Sequence, residues 1–160
     1  MLKFSKKADY ALLSLQYMAT VQCGIEANPR VVNTKEIAEE HHIPVELLAK
    51  VLQTLAKHQL IESYHNGPKG GYALGREPKD ITLAQVLEAI EGPLGLTDCC
   101  HEKDGQSQCE QINHCNIRTP LSKIQESIFQ LLNSMSIEDL LVEDPPLIIV
   151  ESLKLQGVPS

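Results

Sequence analysis

Four of the chain's five cysteines, Cys99, Cys100, Cys109 and Cys115, fall in one short polar stretch. Around them stand Asp98, His101, Glu102, Lys103, Asp104, Glu110 and His114, with scarcely an apolar side chain between. A segment of this composition cannot bury enough surface to order itself. Thiolates bind soft metals and iron–sulfur clusters strongly, so a metal group is the natural organiser. Eight residues separate Cys100 from Cys109 and five separate Cys109 from Cys115. Structural zinc sites usually draw cysteines from closely spaced pairs. Three widely spaced thiolates in an open loop fit a 2Fe–2S or 4Fe–4S iron–sulfur cluster better. A zinc site completed by His101 or His114 is the alternative, and a disulfide framework would need an oxidising compartment. Cys23 ends an apolar helical pattern and reads as a core thiol.

Bulk properties bound what such a loop could serve. The 160 residues are 42% hydrophobic and 22% charged, an ordinary balance for a globular domain. With no Trp and two Phe, the core must be aliphatic. The basic start Met1–Lys7 precedes an apolar run from Tyr10 to Cys23 that Ser14 and Gln16 interrupt, and no small-residue cleavage motif follows. Neither a signal peptide nor a membrane span is expected, and the predicted location is cytoplasmic. The net charge of −7 is unevenly spread. Residues 1–80 carry 10 Lys+Arg against 9 Asp+Glu, a net of +1, and residues 81–160 carry 4 against 12, a net of −8. A near-neutral first half dotted with Lys and His can still meet phosphate locally.

Hydrophobic periodicity supplies the elements that position these groups. Residues 5–23 read as a helix capped by Ser5, with Ala8, Ala11, Leu12, Leu15, Met18 and Ala19 on one face. Thr34 is the expected N-cap of a second helix through Glu40, which His41-His42-Ile43 ends. Pro44, expected as a first helical residue, opens a third helix reaching His58. Its inward set is Leu47, Leu48, Val51, Leu52 and Leu55; its outward set is Glu46, Lys50, Gln53, Thr54 and Lys57. Two helices joined by a short turn match the helix-turn-helix motif. The strand-like runs 60–64 and 71–74 flank the Gly- and Pro-rich turn 65–70, so a hairpin wing follows the third helix. A short helix over 83–91 is expected next, capped by Thr82 or Asp80. The cysteine loop follows, then a long helix with Thr119 as N-cap and Pro120 in its first turn. Along the latter, Leu121, Ile124, Ile128, Leu131 and Met135 alternate steps of three and four, the pattern of a helix packing lengthwise on another. Ser136 is expected to cap a short further turn to Leu141.

The predicted fold is therefore mainly α: a winged helix-turn-helix domain with a two-stranded wing and a long C-terminal dimerisation helix. Its divisions are 1–80 for the DNA-binding domain, 81–118 for the connecting helix and cysteine loop, 119–141 for the dimerisation helix and short following helix, and 142–160 for an extended tail. The major groove admits one helix, which places the start and outer face of the third helix against base edges. Lys50, Gln53 and Lys57 are the leading contacts, and Glu46 can accept from a cytosine amine. Thr34, Pro44 and Val45 stand at the starts of the two helices. Ser5 and Lys6 lie at a helix N-terminus suited to phosphate. His65, Asn66 and Lys69 at the wing can reach the flanking groove or backbone.

The start Leu2-Lys3-Phe4-Ser5-Lys6-Lys7-Ala8-Asp9-Tyr10-Ala11, the segment Ile37-Ala38 with Ile43-Pro44-Val45-Glu46-Leu47-Leu48, the wing Gly67-Pro68-Lys69-Gly70-Gly71-Tyr72-Ala73-Leu74 and the later cysteine triplet together resemble the Rrf-two family of bacterial regulators. The resemblance runs to about residue 141. It implies a homodimer that crosses through the long helix and carries an iron–sulfur cluster beside it. It also implies promoter binding tuned by iron, redox state or nitric oxide, with cluster-assembly genes among the targets. Arg118 stands three residues after the last Cys, where IscR-like members carry His. Asp9 matches the first-helix Asp that NsrR-like members contribute from the partner subunit. The resemblance thus implies Asp9 as fourth ligand rather than His114 or His101, beside Cys109, Cys115 and either Cys99 or Cys100.

The expected function is that of a cluster-sensing transcription factor on double-stranded promoter DNA, with no membrane and no small-molecule substrate. The rival is a zinc-stapled module that uses the helix-turn-helix shape to bind protein. An enzyme is not expected: no nucleophile–base arrangement is visible, and the Gly67–Gly71 run is a hairpin tip with no following helix to cradle phosphate.

Overall fold

The structure is a computed structural model that describes residues 3–22, 30–65, 70–93, 95–96 and 114–142. Helix α1 (Lys6–Gln22) is followed by α2 (Thr34–Glu40) and α3 (Val45–Lys57). The hairpin strands β1 (Ile61–Tyr64) and β2 (Gly71–Leu74) come next, then α4 (Leu83–Glu91) and α5 (Arg118–Ser134). Single 3-10 turns occupy Pro78–Asp80 and Glu138–Leu141. The wing pairs antiparallel, with Ile61 opposite Leu74 and Tyr64 opposite Gly71. Val32 adds a third rung: it exchanges two 2.8 Å backbone hydrogen bonds with Tyr72, so the segment before α2 lies along the wing.

One aliphatic core holds these elements together. Leu15 and Met18 from α1, Ile37 from α2, and Leu48, Leu52 and Leu55 from α3 are fully buried. Each such side chain contributes roughly 2 kcal/mol by leaving water. Ser14, also buried, has its hydroxyl satisfied by the Tyr10 carbonyl at 2.6 Å. The core does not stop at residue 80. Ile81, Val86 and Ala89 belong to it, as does Ile137, and Leu140 and Leu141 pack against it. Ile137 is drawn in by backbone pairing: its amide donates to the Ile81 carbonyl at 2.9 Å, and the Leu83 amide donates to the Met135 carbonyl at 2.9 Å. The chain thus returns after α5 to close on α1, where Gln16 Nε2 donates to the Leu140 carbonyl at 2.7 Å.

The helix starts show where local capping rules needed the tertiary context. Asn33, not Thr34, caps α2 by accepting from the Glu36 amide at 2.9 Å, and Thr34 is the first helical residue. Both types cap well; the pairing of Val32 with Tyr72 sets where extended backbone ends. Pro44 precedes α3 with φ −58° and ψ 123° instead of being its first residue. Thr82 caps α4 in a full capping box with Gln85. Helix α5 begins at Arg118, one residue before the expected Thr119 cap, and has no side-chain cap. Ser136 does not cap the last turn: its amide and hydroxyl both donate to Asp139 Oδ2, at 2.7 and 2.8 Å.

Candidate nucleic-acid interface and cysteine segment

The helix-turn-helix is built on a rigid corner. The Ile43 amide donates to the Ala38 carbonyl at 2.9 Å, and Ile43 is buried, which fixes α2 against α3. His42, in the turn, adopts φ 53°, a left-handed conformation that His tolerates better than bulkier residues. The His41 ring stands edge-on to Tyr17, with centroids 5.7 Å apart. Tyr17 in turn donates to Glu36 Oε1 at 3.1 Å, and Arg30 pairs with the same oxygen at 3.0 Å. Burial, together with that hydrogen bond, pushes the Tyr17 hydroxyl above its ordinary 10.0. These contacts tie α1 to the first helix of the motif.

With Leu48, Val51, Leu52 and Leu55 turned inward, α3 presents Val45, Glu46, Lys50, Gln53 and Lys57 to solvent. The outward set read from periodicity is therefore exposed on one helix, apart from Thr54, which is half-buried and donates to the Lys50 carbonyl at 3.0 Å. Pro44 is exposed and Thr34 half-buried at the two helix starts. Ser5 and Lys6 are exposed at the start of α1. There the Ser5 hydroxyl accepts from the Ala8 amide at 3.2 Å, while the Ser5 amide donates to Glu91 Oε1 at 2.7 Å. The wing's His65 is exposed and lies within 3.4–3.5 Å of the Ser63 hydroxyl. Asn66 and Lys69 lie outside the described residues.

A groove of about 660 Å³ runs between α2 and the wing, lined by Asn33, Thr34, Lys35, Ser63, His65 and Tyr72 among others. Lys35 and Ser63 were not singled out from the sequence. Neither carries a motif; the Val32–Tyr72 pairing alone brings the start of α2 beside the hairpin. Tyr64, which also lines this groove, donates to Glu62 Oε2 at 3.0 Å, and that hydrogen bond raises the pKa of its hydroxyl.

Of the candidate metal ligands, Cys115 and Asp9 fall among the described residues. Cys115 is a half-buried free thiol three residues ahead of α5, and Asp9 is exposed in the first turn of α1. Cys99, Cys100 and Cys109 lie outside the described residues, as do His101 and Cys23; His114 is described and exposed. Among the described residues no three His, Cys, Asp or Glu side chains gather into a metal site. Helix α5 packs against α4, and Gln125 Oε1 accepts from the Leu96 amide at 3.0 Å.

With the helix-turn-helix, the antiparallel wing and the long α5 in place, the chain can be set beside known proteins. The profile of the Rrf2 family, described as an iron-dependent transcriptional regulator, matches residues 4–143. The chain belongs to the Rrf2 family. Members of that family are transcriptional regulators that bind DNA, not enzymes. The transcriptional regulator NsrR of Oceanobacillus iheyensis is 27% identical over 157 residues, covering 98% of this chain and 98% of the relative. Two solved Rrf2-type structures are similar at 26% identity and TM-score 0.64: CymR, the global cysteine regulator of B. subtilis, over 88% of this chain and 97% of that one, and IscR of T. potens, over 88% and 86%. No helix among the described residues is long and apolar enough to cross a membrane.

Proposed function

We propose that this Rrf2 regulator acts on promoter DNA as a homodimer, with its affinity set by an iron–sulfur cluster held by Cys109, Cys115 and either Cys99 or Cys100, and by Asp9 of the partner subunit. The observation that carries the reading is the junction at Cys115. A free, half-buried thiol stands three residues before a helix whose apolar side chains find no full cover among the described residues. Leu121, Ile128 and Leu131 are only half-buried and Ile124 is 51% exposed. A second copy of the same helix is the cover that such a seam suits.

The donor set fits a cluster: soft thiolates spaced along an open polar segment, with an exposed carboxylate on α1 to complete four ligands. A bound cluster would supply a centre labile to oxygen, nitric oxide or loss of iron. This chain's own residues do the rest. Cys115 ties the polar segment to the start of α5, while the pairing of residues 135–137 with 81–83 clamps the end of α5 to the winged domain. A change of ligation at Cys115 therefore bears on the lever that sets the spacing of the two α3 helices against successive major grooves.

Anaerobic purification tests the reading. The expected product is a coloured dimer containing iron and acid-labile sulfide; Cys109→Ala and Cys115→Ala should each lose both and stay folded and dimeric. A colourless protein with one zinc per chain, indifferent to nitric oxide and oxygen, would support the zinc-stapled alternative instead.

A further inference from the structure

Val45 is the first residue of α3, and its side chain is 44% exposed. The other large hydrophobic side chains exposed among the described residues are Ile117, Ile124 and Val142. Ile117 and Ile124 belong to the start and body of α5, where a second helix would cover a seam, and Val142 follows the last 3-10 turn. Val45 belongs to neither that seam nor the core. Its neighbours His42, Pro44 and Glu46 are all exposed, so the apolar surface here is small: one isopropyl group beside the Pro44 ring, with polar side chains on either side. That is too little for a protein partner to dock against. It matches a single methyl.

We propose that Val45 reads the 5-methyl group of a thymine in the major groove, and so determines specificity at one base pair of each half-site. This rests on the DNA-binding reading above and deepens it. The first turn of a recognition helix is the part that meets base edges. Thymine alone among the four bases offers a methyl there. A β-branched side chain in a helix holds essentially one χ1 rotamer, and the backbone before it is fixed by Pro44, so little freedom is lost on contact. Glu46, next along and about 100° around the helix, is an acceptor-only carboxylate. It disfavours the O6 and N7 acceptors of guanine and suits the amino group of cytosine or adenine at a neighbouring position. The two residues together select a thymine beside a base pair that presents an amine.

The experiment uses the full chain, in anaerobic and in metal-stripped form, to select duplexes from a random pool; each thymine of the selected site is then replaced singly by deoxyuridine. In the wild type, one thymine per half-site should cost about three- to fivefold in affinity when its methyl is removed, the effect of burying one such group. Val45→Ala should bind the intact site more weakly by about the same factor and show no further loss with deoxyuridine. Because the side chain lies outside the core, Val45→Ala should melt like the wild type. Indifference of the wild type to every replacement, or an undiminished deoxyuridine penalty in Val45→Ala, overturns the assignment while leaving DNA binding intact. A pool that enriches no sequence with either form overturns the DNA-binding reading and this one with it.

Discussion

The Ser5 amide donates a 2.7 Å hydrogen bond to the Glu91 carboxylate, across 86 residues of sequence. It joins the start of α1 to the last residue of α4. The carboxylate also sits where the positive end of the α1 dipole favours it. The first turn of α1, which carries Asp9, is thereby held relative to the segment that leads into the cysteine loop.

Glu91→Ala should therefore destabilise the fold by about 0.5–1 kcal/mol, the lower range for a bond exposed to solvent. Glu91→Gln, which keeps an acceptor, should recover part of that. Denaturant melts measure the loss, and amide exchange should quicken at the start of α1 ahead of the core. Identical melts and exchange for all three proteins would show that the contact contributes nothing.

Gly71 leaves no room for a side chain. A Cβ there would overlap the Val32 carbonyl oxygen and come within 2.8 Å of its carbon. Gly71→Ala should cost about 2–4 kcal/mol by forcing the Val32 segment off the wing and breaking its two bonds to Tyr72. At Gly75 the nearest atom to an added Cβ is 3.2 Å away, so Gly75→Ala should cost distinctly less in the same melt. Equal costs would place the constraint elsewhere.

Lys50 is exposed in the middle of the outer face of α3, between Glu46 and Gln53. If it meets a base, Lys50→Ala should lose about 1–3 kcal/mol on the operator and relax preference at one position. If it meets phosphate, the loss should be uniform across sequences, and the slope of log affinity against log salt should fall by about one. A salt titration on specific and scrambled duplexes separates the two, and unchanged affinity removes Lys50 from the interface.

Asp139 accepts from both the amide and the hydroxyl of Ser136, and these bonds hold its carboxyl below the ordinary 3.8. A depressed carboxylate contributes stability that is present in full above its unfolded pKa and lost as pH falls through the folded one. Asp139→Ala should thus melt earlier than the wild type at neutral pH, and the gap should narrow as pH drops below about 4. A gap that stays constant down to pH 2 would mean the charge plays no part.

Much of the winged domain was legible in the chain. The inward residues of α3 recur at helical spacing because the apolar stripe must meet α1, and the wing is punctuated by Gly and Pro because its turn demands them. The exposed set of Glu46, Lys50, Gln53 and Lys57 follows from the same periodicity. Helix starts were less legible. Asn33 and Thr34 are both competent caps, and which one acts depends on Val32 being pinned to Tyr72, a contact between residues 40 apart.

The amino-acid sequence by itself determined the helix-turn-helix, the hairpin, the polar outer face of α3 and the crowding of four cysteines before a heptad-like helix, because each is a local pattern of side-chain type. Tertiary structure decided what local pattern cannot carry. Ile137 enters the core because its amide pairs with Ile81, and Lys35 comes beside Ser63 because Val32 lies along the wing. Cys115 stands three residues before a helix whose far end is followed by the strand-like pairing of Ile137 with Ile81, which ties it to the common core. Such relations depend on backbone hydrogen bonds between distant segments, and backbone donors and acceptors are the same at almost every residue.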